Sequence, residues 1–162
     1  MPDFKLTQIW IYPIKSLGGI SVPTAKVMGK GLQYDRRWML LDETGSSMTQ
    51  RVYPKMALYK LSLNGKQLLA RYKHDEITIH IDKQHLSNAL NVKIWDDNVT
   101  AQEVGPDYNQ WFSEKLGVSC KLVFFPEENS RPVNPKYNVN AEHVSLADAY
   151  PFLIIGQSSL VD

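Results

Sequence analysis

The first hundred or so residues alternate short apolar runs with turn-forming residues, and no run keeps a helical period for long. A chain patterned this way must build its core from many short strands. Residues 6–12 put Trp10 and Tyr12 on one face of a strand, opposite Ile9 and Ile11. Residues 21–28 read as a second strand, pushed toward an edge or a bend by Pro23, and Gly29-Lys30-Gly31 ends it. Residues 36–42 contain Trp38, Met39, Leu40 and Leu41 in succession, the pattern of a strand buried on both faces. Glu43-Thr44-Gly45-Ser46 is the turn that follows. Asn64-Gly65 lies between strands at 57–63 and 67–72 and signals a hairpin. Lys73-His74-Asp75 then leads into a run where Ile77, Ile79 and Ile81 alternate with Glu76, Thr78 and His80. Strands at 92–95 and 99–103 join through Asp96-Asp97-Asn98. A small barrel or a sandwich satisfies this pattern.

The character changes at Gly105-Pro106-Asp107. Tyr108, Trp111, Phe112 and Leu116 share one helical face; Asp107 favours the helix start and Gly117 its stop. Residues 119–125 read as a strand, and residues 126–140, rich in proline and asparagine, as a long loop of the kind that carries function. Residues 152–155 have the character of a buried strand, and residues 156–160 that of a helix start. Nothing after Asp162 covers that apolar run, so the expectation is the front part of a longer protein.

At 162 residues and 43% hydrophobic, the chain suits one domain, or one small domain and part of a second. The net charge of +1 makes no electrostatic case for nucleic acid or a membrane surface. No apolar stretch approaches the roughly 20 residues that span a bilayer, and the N-terminus does not read as a signal peptide. Cys120 is the sole cysteine, so no intramolecular disulfide forms, which suits a reducing cytoplasm.

Chemistry concentrates at strand ends. After the first strand, Pro13-Ile14-Lys15-Ser16-Leu17-Gly18-Gly19 combines a cation, a hydroxyl and two glycines. Two readings fit: an anion cradle in which glycine amides join Lys15 and Ser16, or an ordinary turn with a solvated lysine. Asp35-Arg36-Arg37-Trp38 opens a strand, so one of Arg36 and Arg37 faces any given pocket while the other is solvated or paired, and Asp35 orients one guanidinium. Arg51, after Thr49-Gln50, forms another polar rim, and Arg131 sits in the proline-rich loop. Arginine forks suit phosphate; the competing reading is a set of unrelated surface cations. His74, His80, His85 and His143 show no zinc-like spacing, and His80 reads as a surface residue. Cys120 reads as a small buried hydrophobe, not a nucleophile. No nucleophile elbow, P-loop or dinucleotide fingerprint is present.

Four segments, in order, resemble the N-terminal β-barrel of MOSC proteins (molybdenum cofactor sulfurase C-terminal type), the group that includes the amidoxime-reducing components. They are Ile11-Tyr12-Pro13-Ile14-Lys15-Ser16, then Gly31-Leu32-Gln33-Tyr34-Asp35-Arg36-Arg37-Trp38-Met39, then Thr49-Gln50-Arg51, then Asp148-Ala149-Tyr150-Pro151-Phe152-Leu153-Ile154-Ile155 with Ser158-Ser159-Leu160. The resemblance implies a mainly β fold with a few helices: a small β-barrel over residues 1–118, and the beginning of the MOSC domain over 119–162. It implies molybdenum cofactor (molybdopterin) as the ligand, with Lys15, Ser16 and Arg36 at the pterin phosphate and Arg51 on the same rim. Where relatives carry Thr-Ser this chain has Ala149-Tyr150, so the resemblance does not carry over those side-chain hydroxyl contacts and leaves backbone contacts there open.

The family's molybdenum-ligating cysteine and an Arg-Pro-Asn segment come later than residue 162, and Cys120 lies in the wrong context to be that cysteine. The resemblance thus implies part of an oxidoreductase that reduces N-hydroxylated compounds, with no catalytic residue and no metal ligand in this chain. Its electrons would come from a flavin, iron–sulfur or heme protein, and the chain alone would be inactive. The alternative is a sulfur-carrying or cofactor-docking module, as in family members fused to pyridoxal-phosphate domains. A third reading is an interaction domain using the apolar run at 152–155.

Overall fold

A computed structural model describes residues 5–82 and 88–160. His85, one of the four histidines, lies outside the described residues. Among the described residues, eleven strands and one α-helix follow in order: β1 (Ile9–Ile11), β2 (Ile20–Val22), β3 (Val27–Met28), β4 (Gly31–Leu32), β5 (Trp38–Leu41), β6 (Lys60–Asn64), β7 (Gln67–Tyr72), β8 (Asp75–His80), β9 (Ala89–Ile94), β10 (Asp97–Glu103), α1 (Pro106–Leu116) and β11 (Lys121–Phe124). A four-stranded antiparallel sheet runs β5-β11-β10-β9, a three-stranded one β6-β7-β8, and β1-β2 and β3-β4 are two-stranded ribbons. The mainly β, short-stranded expectation holds.

The middle of the larger sheet is buried on both faces because its strands divide their side chains between two cores. Trp38 and Leu40 of β5 and Leu122 of β11 pack into one cluster with α1 and the three-stranded sheet, through Phe112, Leu116, Leu68 and Ile79. Met39, Leu41 and Val123 face the other way and meet Val92, Ile94, Phe125 and Leu146. β11 lies beyond residue 118, yet it is an inner strand of this sheet, paired with both β5 and β10.

Several local expectations need correction. The first strand is confined to three residues, and the second splits into β2 and β3 because residues 23–26 leave the ladder at Pro23. Residues 57 and 58 belong to a 3-10 turn, Pro54–Leu58, not to the strand that follows. Asn64 pairs with Gln67, so the hairpin loop is Gly65-Lys66. The β9–β10 turn is Trp95-Asp96, because Ile94 pairs with Asp97. That register keeps Val92, Ile94, Val99 and Ala101 on one core face, and it leaves Trp95 in the left-handed region at φ 54°. Residues 152–155 do not form a strand: Phe152, Leu153, Ile154 and Ile155 are 47–94% exposed and pair with no sheet edge among the described residues. An apolar run becomes a strand only where an edge receives it.

The helix stands as expected, with Pro106 in its first turn and Gly117 as a left-handed C-cap. Asn109 donates to Glu103 and accepts from the Leu122 N–H at 2.8 Å, which ties α1 to β10 and β11.

Within residues 126–150, Leu146 packs into the second core, and buried cations hold the segment against the rest of the fold. Lys30 Nζ donates to the carbonyls of Pro126, Glu127 and Asn129 at 2.9, 2.7 and 2.6 Å. The Arg37 guanidinium, 4% exposed, lies 3.0 Å from the Glu127 carboxylate. Arg131, 3% exposed, donates from Nη1 to the carbonyls of Ser145 (2.8 Å) and Ala147 (2.5 Å), and from Nε and Nη2 to the Asp97 carboxylate. One guanidinium therefore joins the β9–β10 hairpin to the 145–147 backbone.

Replacing Arg131 with Met keeps its length but orphans two buried carbonyls. The expected loss is about 2–4 kcal/mol of stability, read as a lowered urea midpoint. Cys120 is 3% exposed, and burial pushes its thiol up despite hydrogen bonding with Ser113. It should resist a disulfide reagent at pH 8 in the folded chain and react at once in denaturant; fast reaction of the native protein would contradict this packing.

Candidate functional site

The segment that follows β1 and the one that leads into β5 run alongside one another and bring the basic residues together. The Lys15 N–H donates to the Trp38 carbonyl (2.8 Å), the Trp38 N–H to that of Pro13 (3.0 Å), and the Arg36 N–H to that of Tyr12 (2.9 Å). Asp35, 3% exposed, accepts from the Tyr12 N–H at 2.7 Å and pairs with the Arg36 guanidinium, which also lies 4.6 Å from the centre of the Tyr12 ring. Gln50 donates to the Ser16 carbonyl at 2.9 Å, drawing the 49–51 rim to the same place.

The result is a cleft of about 490 Å³. Its lining includes Lys15, Ser16, Arg36 and Arg51, the four residues singled out from sequence, together with Tyr12, Gln50, Trp95, Asp148, Tyr150 and Phe152. Three cationic side chains face a single lining carboxylate, Asp148. Ser16, Arg36 and Trp95 all hold positive φ, at 64°, 49° and 54°. Such backbone costs on the order of 1–3 kcal/mol per residue and collects where surrounding structure must aim a side chain.

Lys15 is 6% exposed, and its ammonium donates to the Leu146 carbonyl at 3.0 Å and to the Asp148 carboxylate. Burial disfavours its charged form and holds its pKa below the ordinary lysine range; Asp148 opposes that, while Arg131 and Arg36 add repulsion. Burial would raise the Asp148 carboxyl, but hydrogen bonds from Lys15 and Trp95 and the charges of Lys15 and Arg51 outweigh it and keep the carboxyl low. Trp95 donates from Nε1 to Asp148 at 3.0 Å, and the Arg51 guanidinium lies 5.6 Å from the Trp95 ring centre.

Other sequence candidates go elsewhere. Arg37 points away from the cleft to Glu127; it precedes β5, and the left-handed turn backbone at Arg36, not strand alternation, sets the two guanidiniums apart. Arg131 is a buried structural cation and does not line the cleft. Gly18 and Gly19 do not line it either: a Cβ on Gly18 would stand 2.5 Å from the Tyr59 carbonyl oxygen, and one on Gly19 2.7 Å from the Tyr12 ring. A neighbour presses on each of them, so neither position has room for a side chain. Ala149 and Tyr150 do line the cleft. In the sequence Trp95 reads only as the end of a strand, and Asp148 only as the first residue of the fourth MOSC-like segment. Among the described residues no cluster of three or more His, Cys, Asp or Glu side chains could hold a metal ion, and no helix is long and apolar enough to cross a membrane.

The chain matches the MOSC N-terminal beta barrel domain over residues 3–119. It is 32% identical to mitochondrial amidoxime-reducing component 1 of Mus musculus, an alignment covering 97% of this chain and 49% of that protein. It is 29% identical to mitochondrial amidoxime reducing component 2 of Homo sapiens (97% of this chain, 50% of that one) and 29% identical to a molybdenum cofactor sulfurase of Aspergillus clavatus (83% and 18%). The chain thus spans about half the length of the amidoxime-reducing components and less of the sulfurase. With short strands, two shared cores and a match covering most of its length, the chain belongs to the family of the MOSC N-terminal beta barrel domain.

Proposed function

We propose that this chain supplies the phosphate-gripping half of a molybdenum-cofactor site in an oxidoreductase acting on N-hydroxylated compounds. The observation that carries this reading is the convergence of Lys15, Arg36 and Arg51 with the Ser16 hydroxyl on one cleft. The donor set fits a phosphorylated pterin at its anionic end: two guanidinium forks, a buried ammonium and a hydroxyl suit phosphate oxygens. It does not fit the metal end, since Cys120 is buried in the core beside α1 and no thiolate lines the cleft. When bound, the cofactor supplies redox chemistry at its metal. Lys15 and Arg36 offset phosphate charge, Ser16 fixes one oxygen, and the Tyr12 ring holds the Arg36 guanidinium in place. An electron-donor protein belongs to this reading, as does a further segment to carry the metal ligand.

A docking role without redox chemistry is the second reading, supported by the likeness to molybdenum cofactor sulfurases. The same cleft serves it. Sulfur carriage by this chain does not, because its sole cysteine is buried.

Calorimetric titration with neopterin monophosphate, against neopterin lacking phosphate, tests the phosphate grip. The phosphorylated pterin should bind about tenfold or more tightly, since a charge-assisted hydrogen bond is worth roughly 1.5–3 kcal/mol. The difference should shrink in high salt. A Lys15→Gln/Arg36→Gln variant that still unfolds cooperatively should lose it. Equal affinity for the two pterins, or an unaffected double variant, would refute the assignment.

A further inference from the structure

Lys15 and Asp148 share one ion pair but differ in their freedom to leave it. The Lys15 side chain is 7% exposed and the Asp148 side chain 63%. A lysine ammonium held out of water needs a compensating charge, and its other acceptor, the Leu146 carbonyl, is neutral. Asp148 supplies that charge and in turn accepts from Trp95 Nε1. Rehydrating a mostly exposed carboxylate costs little, whereas Lys15 has nowhere to go. Asp35, the partner of Arg36, is the opposite case: its side chain is 5% exposed and bonded to the Tyr12 N–H, so that pair is fixed.

We propose that Asp148 is a built-in counter-ion, which a phosphate entering the cleft displaces from Lys15, releasing Trp95 at the same time. This rests on the phosphate reading above. A phosphate dianion offers more charge and more acceptor oxygens than one carboxylate, so it outcompetes Asp148 for Lys15 while its other oxygens reach Arg36 and Arg51. Once seated it repels the Asp148 carboxylate, which turns to water. The Trp95–Asp148 hydrogen bond then breaks, while Arg131 keeps its hold on the Ser145 and Ala147 carbonyls. Binding therefore loosens the Asp148 end of the cleft wall and the tryptophan at its mouth. Asp148 also acts as a filter: a weak monoanion does not repay its removal, and a phosphate does.

Nuclear magnetic resonance of the chain titrated with inorganic pyrophosphate tests this. The Trp95 indole N–H resonance is identified as the one missing from Trp95→Phe. It should move with the Lys15 and Ser16 amides at a common midpoint, while the indoles of Trp10, Trp38 and Trp111 stay still. Asp148→Asn should bind pyrophosphate about tenfold more tightly. Should that variant not fold, the wild-type indole decides the matter alone. Movement of the Lys15 and Ser16 amides with a stationary Trp95 indole, or unchanged or weakened affinity in Asp148→Asn, overturns the displacement and leaves the phosphate reading standing. No amide movement in either protein overturns both.

Discussion

Two buried cations grip a single stretch of backbone, and the shape of the cleft follows from that grip. Arg131 takes the carbonyls of Ser145 and Ala147; Lys15 takes the carbonyl between them, that of Leu146, and the side chain of Asp148. The Ser145 and Ala147 carbonyls meet one cation and the Leu146 carbonyl between them meets the other, so two cations clamp one short stretch of chain. The Leu146 N–H donates in turn to the Arg36 carbonyl at 3.0 Å, and the Leu146 side chain packs into the core beside Met39 and Val123. Apolar packing and cation–carbonyl bonds thus act on the same four residues. Either alone would leave an unpaired charge or an open core face, and each costs several kilocalories per mole.

That clamp explains how the irregular segment at residues 147–153 forms one wall of a defined cleft. The opposite wall comes from residues 12–16 and 36, locked together by backbone bonds that extend the pairing of the Ile14–Trp38 bridge. Between the walls stand side chains on left-handed backbone at Ser16, Arg36 and Trp95. Only a surrounding structure that over-determines those positions can hold them there. Gly31 shows the same crowding from the loop side: a Cβ there would stand 2.6 Å from the Pro151 carbonyl oxygen, so the chain passes over the β3–β4 turn at backbone contact distance.

Much of the architecture was legible because it is written in short periods. The unbroken apolar run at residues 38–41 announces a strand with two buried faces, and β5 divides its side chains between both cores. The helical spacing of Tyr108, Trp111, Phe112 and Leu116 announces α1, and the Asn-Gly step announces the β6–β7 hairpin. The misreadings came where a partner decides the outcome. Residues 152–155 are apolar enough for a buried strand and lie exposed for want of an edge. The β9–β10 turn falls at Trp95-Asp96, although Asp96-Asp97-Asn98 has better turn chemistry, because core register outweighs turn preference.

By itself the sequence determined the short-stranded β class, the helix that Gly117 caps, and the inventory of cations from which a phosphate site could be built. That Arg36 and Arg37 point apart was legible too, although a left-handed turn at Arg36, not strand alternation, separates them. Only the tertiary structure decided which cations meet: Lys15, Arg36 and Arg51 in the cleft, Arg37 against Glu127, and Arg131 beneath the wall. It also decided that Asp148 stands opposite Lys15, 133 positions away, and that the paired glycines yield to their neighbours instead of facing a ligand. The physical reason is range. Periodicity and turn chemistry act across a few residues, whereas the charge on a buried side chain is balanced by whatever distant segment the fold lays against it.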